Sequence, residues 1–218
     1  MPFLAPACAP AENDAPRAAV PQGVARQDVL QPRVVLEVGG LPVQAEEVDE
    51  VAAWIAQIQP ENTRAHHRRL ALTNYVLPGF AVRSRYPEAR GRALEVLQAG
   101  VEKAFDPAAG GLREEITGDW KRLGLDVWAR ARTLEPGSWS EPFERVGHFA
   151  RVRLEEAPVP AETTAAQTLR VTVAVLPYDT EEPLDEAAVE GAIDSARLEI
   201  VDPAWGRLVP ESWKYRMR

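Results

Sequence analysis

The hydrophobic pattern of this chain changes period part-way along, and that change limits the fold more than any other feature. Up to about residue 105 the apolar residues recur at helical spacing, and from about residue 139 they alternate. In the first part Val48, Val51, Ile55 and Ile58 form one stripe, and Leu94, Leu97, Val101 and Phe105 another. These predict helices over 45–59 and 87–105, with a further helix from Thr63 towards Leu77 that Pro78 stops. In the second part Ala150, Val152 and Leu154 alternate with Arg151 and Arg153, as in a half-exposed strand. Leu169 to Leu176 sets Val171, Val173 and Val175 on one face of another strand. A β-rich run over 33–38 ends at the turn Gly39-Gly40, and strands are also predicted over 139–145 and 149–155. Short helices are expected at 125–134 and 184–197, while 112–123 carries no decisive pattern. Helices first and a small antiparallel sheet second define an α+β fold.

The 218 residues suffice for one large domain or two small ones. Residues 1–32 are rich in Ala and Pro and without period, which reads as a flexible tail or linker. Asp106-Pro107 and Gly110-Gly111 then divide a helical region, 33–108, from an α+β region, 109–218, that ends in an aromatic tail from Trp205 to Tyr215. The net charge of −8 argues against nucleic acid as a partner, because phosphate backbones call for a basic surface. No apolar run approaches the roughly 20 residues that span a bilayer.

Cys8 is the one cysteine, so no internal disulfide forms. Leu4-Ala5-Pro6-Ala7-Cys8 resembles the end of a bacterial lipoprotein signal, although the segment before it is short and lacks a basic start. On that reading Cys8 is lipidated and the tail is a membrane tether; the plainer alternative is an incidental cysteine.

Two segments resemble the SurA-like, parvulin-type (PpiC-type) peptidyl-prolyl cis-trans isomerases. Val34 to Val48 is similar to the opening of SurA-like chaperones, where a strand ends in a "VNG" turn and leads into the first helix; Gly39 stands where that family usually has Asn. Ala131 to Phe143, continuing through Gly147-His148-Phe149 to Glu156, looks like the last third of a parvulin domain: a helix, an "L-x-P-G-x-x-S-x-P" turn, a strand, a glycine turn and a strand. Leu134, Pro136, Gly137, Ser140, Pro142 and Gly147 match it. The resemblance implies an N-terminal helical chaperone-like region followed by a small parvulin-like sheet with flanking helices. It also implies unfolded or proline-containing polypeptide clients, and a place in the bacterial periplasm or cell envelope.

The departures bear on activity. Active parvulins carry a histidine in the first strand of the domain and another in the last. Here Ala150-Arg151-Val152 occupies the second position, with His148 two residues earlier, and the first has no counterpart. Leu169 to Leu176 would fill the place of the missing first strand if the domain were circularly permuted.

Isomerisation needs no cofactor; it needs a site that binds the twisted amide more tightly than the planar one, against a barrier of about 18–20 kcal/mol. His148 is the candidate polar group, and Trp128, Trp139, Phe143 and Phe149 are the candidate walls of a proline cup. His66 and His67 are adjacent on a predicted helix, point apart, and sit among Arg64, Arg68 and Arg69, so a solvated basic face is expected there and no metal site. The expected function is a chaperone whose isomerase activity is weak or lost. The alternatives are an active isomerase with a rebuilt site and a non-enzymatic envelope lipoprotein.

Overall fold

Gly39 and Gly40 both have positive φ, 57° and 82°, and join the first two strands in a tight hairpin. The structure, a computed structural model, describes residues 33–158, 161–181 and 184–215. The Ala/Pro tail and Cys8 therefore lie outside the described residues. Strand β1, Val34–Val38, pairs antiparallel with β2, Leu41–Gln44. A capping box at Gln44 and Glu47, whose carboxylate accepts from the Gln44 N–H at 3.0 Å, starts helix α1, Ala45–Ile58.

Helix α2, Arg64–Ala71, does not stop before Pro78. It passes through a π-helical turn, Leu72–Val76, directly into α3, Leu77–Arg85, with Pro78 inside the first turn of α3. A proline normally breaks a helix through its missing N–H and the clash of its ring with the carbonyl four residues earlier. The wider π turn changes the backbone spacing just ahead of Pro78, and the Leu77 N–H bonds to Leu72 O, so the helix continues. The helix expected over 87–105 is divided instead, into α4, Pro87–Ala99, and α5, Val101–Ala104, by Gly100 at φ 157°.

The second half begins with β3, Leu112–Gly118, in the stretch whose sequence pattern was ambiguous. Helices α6, Trp120–Leu123, and α7, Leu125–Ala131, follow, then the hairpin β4, Phe143–Arg145, and β5, His148–Leu154. Trp139 reaches the sheet only through an isolated bridge to Arg153, so β4 is shorter than its sequence suggested. Strand β6, Leu169–Pro177, lies between β5 and β3, giving the antiparallel order β3-β6-β5-β4. Helix α8, Glu186–Ser195, leads to β7, Leu198–Ile200, which returns to pair with β1 on the side away from β2. The described residues thus form two antiparallel sheets with helices, a mixed α and β fold as expected.

The main core joins β1, α1, α3, α7, β5 and β6 with the C-terminal aromatics. Trp205 and Trp213 are buried in it, the latter on the last helical turn, α9, Glu211–Lys214. A smaller core lies on the opposite face of the four-stranded sheet, around Phe105, Phe149, Leu176 and Tyr178. Because that face is covered, Arg151 is not on a half-exposed strand: it is only 6% exposed, paired with Glu102 at 2.6 Å and stacked 4.3 Å from the Trp139 ring centre. His67 is likewise not solvated. It is 5% exposed, with Nε2 at 2.9 Å from Gln59 O, while Arg64 and Arg68 pair with Asp49.

A Cβ on Gly39 would overlap the Ser84 side chain on α3, whereas one on Gly40 meets nothing. The close approach of Ser84 thus leaves room only for glycine at position 39. Gly39→Ala is expected to lower unfolding stability by about 1–3 kcal/mol and Gly40→Ala by less, since only the first adds a clash to the strain of positive φ. Denaturant titration of the two variants checks the ranking.

Candidate functional site

A groove of about 630 Å³ runs between the helices of the first half and the β4–β5 hairpin. One wall is a stripe on α1, where Glu50, Val51 and Trp54 follow at helical spacing. The next is Tyr75 and Val76 on the π turn with Gly79, Phe80 and Arg83 on α3. A π turn adds one residue to the helix and so rotates the following side chains about its axis. The groove residues Tyr75, Val76, Gly79, Phe80 and Arg83 follow one another at ordinary helical spacing from the end of that turn onward. The opposite wall is Asp126 and Arg130 from α7 with Phe143 to Val146 and His148 from the hairpin.

Charge is arranged tightly around the aromatic rings. Glu144 receives two hydrogen bonds from Arg90, at 2.7 and 3.0 Å, and one from the Tyr178 hydroxyl. Arg83 Nε stands 3.2 Å away, an ion-pair contact without hydrogen-bond alignment. Burial alone pushes the Glu144 carboxyl up, but the Arg90 hydrogen bond, the Arg83 charge and the Tyr178 hydroxyl outweigh it and hold the group below its ordinary value. Tyr178 moves the other way: burial and the adjacent carboxylate keep its phenol protonated far into alkaline pH. Arg145 pairs with Asp126 at 2.6 Å. Arg130 lies between two rings, 5.0 Å from the centre of Trp54 and 4.7 Å from that of Phe143, and reaches Glu50 at 3.3 Å.

His148 closes the hairpin end of the groove. Its Nδ1 is 3.0 Å from Val146 O. A carbonyl only accepts, so Nδ1 carries the proton and Nε2 presents a lone pair. Burial, and then the Arg145 charge, lower its pKa, which keeps the ring neutral at physiological pH.

Of the aromatic residues singled out from the sequence, Phe143 lines the groove beside His148. Trp128 is fully buried in the main core, its indole N–H donating to Gln167 O at 3.0 Å. Trp139 and Phe149 belong to the core on the far face of the sheet, where Phe149 meets Tyr178 with ring centres 5.9 Å apart. Sequence reasoning missed Trp54, Phe80, Arg83, Arg130 and Glu144. Trp54 lies beside the α1 stripe read from the sequence and not in it, and Phe80 lies beyond Pro78, where the helix was expected to stop.

A larger cleft, about 1070 Å³, opens between α4 and α8, but its rim is surface charge such as the Arg92–Asp179 pair, and no aromatic wall faces another across it. Among the described residues no cluster of His, Cys, Asp and Glu is arranged to hold a metal, and no helix is long and apolar enough to cross a membrane. Comparison with family models, with curated proteins and with solved structures finds no match to this chain.

Because folding lowers the His148 pKa, the unfolded chain takes up this proton first as pH falls. The stability linked to a neutral His148 is present above about pH 6.5, the ordinary histidine value, and is lost on acidification through the folded-state pKa. His148→Leu should therefore lose less stability than the parent between pH 7 and pH 5, read from melting temperatures across that range.

Proposed function

We propose that this chain is a polypeptide-holding chaperone of the cell envelope, of the SurA/parvulin kind, with prolyl isomerisation weak or lost. The groove carries the reading: Trp54 and Phe80 on one side and Phe143 on the other offer apolar contact to an extended segment, beneath a charged rim. Further support comes from the segment that resembles a parvulin. There α7 ends at Ala131, Gly137 turns the chain at φ 82°, and Gly147, at φ 78°, joins β4 to β5. Strand β6 runs beside β5 in the interior of the sheet, as a permuted parvulin sheet requires of its first strand.

Weak or lost catalysis follows from the histidines. The four-stranded sheet holds His148, and β6 offers no second imidazole to face it. A working isomerase with a rebuilt site is the second reading, favoured by the approach of the neutral His148 ring and Phe143 to the same groove. By its chemistry it would need His148 to act on the prolyl amide without the usual partner.

Two measurements separate these readings. The folded protein should suppress aggregation of a chemically denatured client, and Trp54→Ala should weaken that suppression several-fold. Exchange NMR on a short Ala-Pro peptide should show no acceleration at catalytic protein concentrations. Acceleration would establish the rebuilt isomerase, and failure to hold any client would leave a scaffolding lipoprotein.

A further inference from the structure

The aromatic faces of the groove are already covered by cations of the chain itself. Arg130 of α7 stands between Trp54 of α1 and Phe143 of β4, its guanidinium carbon 5.0 and 4.7 Å from the two ring centres, and that of Arg83 lies 4.7 Å from the centre of Phe80. A ring face that holds a guanidinium is not free to hold an apolar side chain as well. For a client to use the faces of Trp54 and Phe143, the cation between them has to leave.

The two arginines are held very differently. The Arg83 side chain, 19% exposed, faces two carboxylates, Glu144 at 3.2 Å and Glu47 at 3.9 Å. The Arg130 side chain is 32% exposed and is tied to one carboxylate, by Nη2 donating to Glu50 at 3.3 Å, and the Glu50 side chain is itself 51% exposed. An ion pair this open to water contributes little. Three buried nitrogens of the groove lining, Arg83 Nε, Arg130 Nε and His148 Nε2, have no hydrogen-bond partner among the described residues, and none is open to a ligand. A buried donor without a partner costs its lost hydration. Arg83 Nε keeps the Glu144 charge beside it, whereas Arg130 Nε regains a partner only when the side chain swings out to water. Stacking therefore favours the seat of Arg130 between the rings, and desolvation opposes it.

We infer that Arg130 is a built-in competitor for the client: latched by Glu50, it bridges the two walls of the groove, and an apolar segment binds by displacing it towards solvent. The inference rests on the polypeptide-holding reading and adds the regulation of that site. The groove opens to segments apolar enough to replace two cation–π contacts, and polar chains are turned away.

The test is fluorescence anisotropy of a labelled Leu/Ala peptide with the whole protein and with variants that keep the parent's circular dichroism. Arg130→Ala should bind the peptide about fivefold more tightly than the parent, and Glu50→Gln, a change at an exposed carboxylate, more tightly by a smaller factor. Without Arg130 the latch has nothing to hold, so Glu50→Gln should add nothing to Arg130→Ala. Equal or weaker binding by Arg130→Ala overturns the inference and leaves the holding function intact. The same result in Glu50→Gln overturns it where Arg130→Ala does not fold, and so does a Glu50→Gln effect that persists undiminished in the double variant. If the peptide binds neither the parent nor Arg130→Ala, or binds Trp54→Ala as well as the parent, the groove is not the polypeptide site and both readings fall.

Discussion

The carboxylate of Glu144 ties together parts of the molecule that are far apart in sequence. It lies on the short strand β4 and is held by Arg83 of α3, Arg90 of α4 and the Tyr178 hydroxyl just beyond β6. A carboxylate withdrawn this far from water is tolerated only where opposite charge and hydrogen bonds replace its hydration. Meeting that requirement here calls for two helices and two strands to stand at fixed distances from one another. The groove runs along these contacts, with Arg83 and Glu144 in its lining, so its width is set by the ion cluster as well as by the apolar core beneath it.

A second constraint closes the fold at its ends. The hairpin β1–β2 has an open side until β7 arrives from near the C-terminus, and Trp205 and Trp213 then complete the core under it. Arg68 stacks on Trp205 at 4.7 Å, and Arg69 donates to Arg207 O at 3.0 Å, so the aromatic tail is locked to α2. The helical first half and the α+β second half therefore share a sheet and a core, although the sequence divides naturally at Asp106-Pro107. A groove lies at their junction and draws its walls from both halves.

Cation–π stacking recurs across this molecule and follows from its composition. Six tryptophans and many arginines share a chain of modest size. Arg151 against Trp139 is a buried cation and Arg130, between Trp54 and Phe143, a partly exposed one, and the partners of both are rings as much as carboxylates. The planar, weakly hydrated guanidinium suits that environment better than an ammonium group would. In the far core this arrangement braces the sheet, and in the groove it holds Arg130 against the aromatic wall.

The sequence by itself determined the elements whose periodicity is long and unbroken. The α1 stripe, the alternation of β6 and the glycine turns at Gly39-Gly40 and Gly147 are set by local chemistry, so helix, strand and turn were legible there. His148 and Phe143 were legible too, through a short motif around a glycine turn. What the tertiary structure decided is everything that depends on a partner distant in sequence. Arg151 reads as solvent-facing until α5 covers it, and His67 reads as surface until the end of α1 meets it. Strand β7 and strand β3 are weak patterns that become strands because β1 and β6 offer them open edges. Pro78 sits within a helix because a π turn precedes it, and the continued helix carries Phe80 and Arg83 to the groove. Hydrophobic period encodes which face of an element is buried, and only the fold decides what that face is buried against.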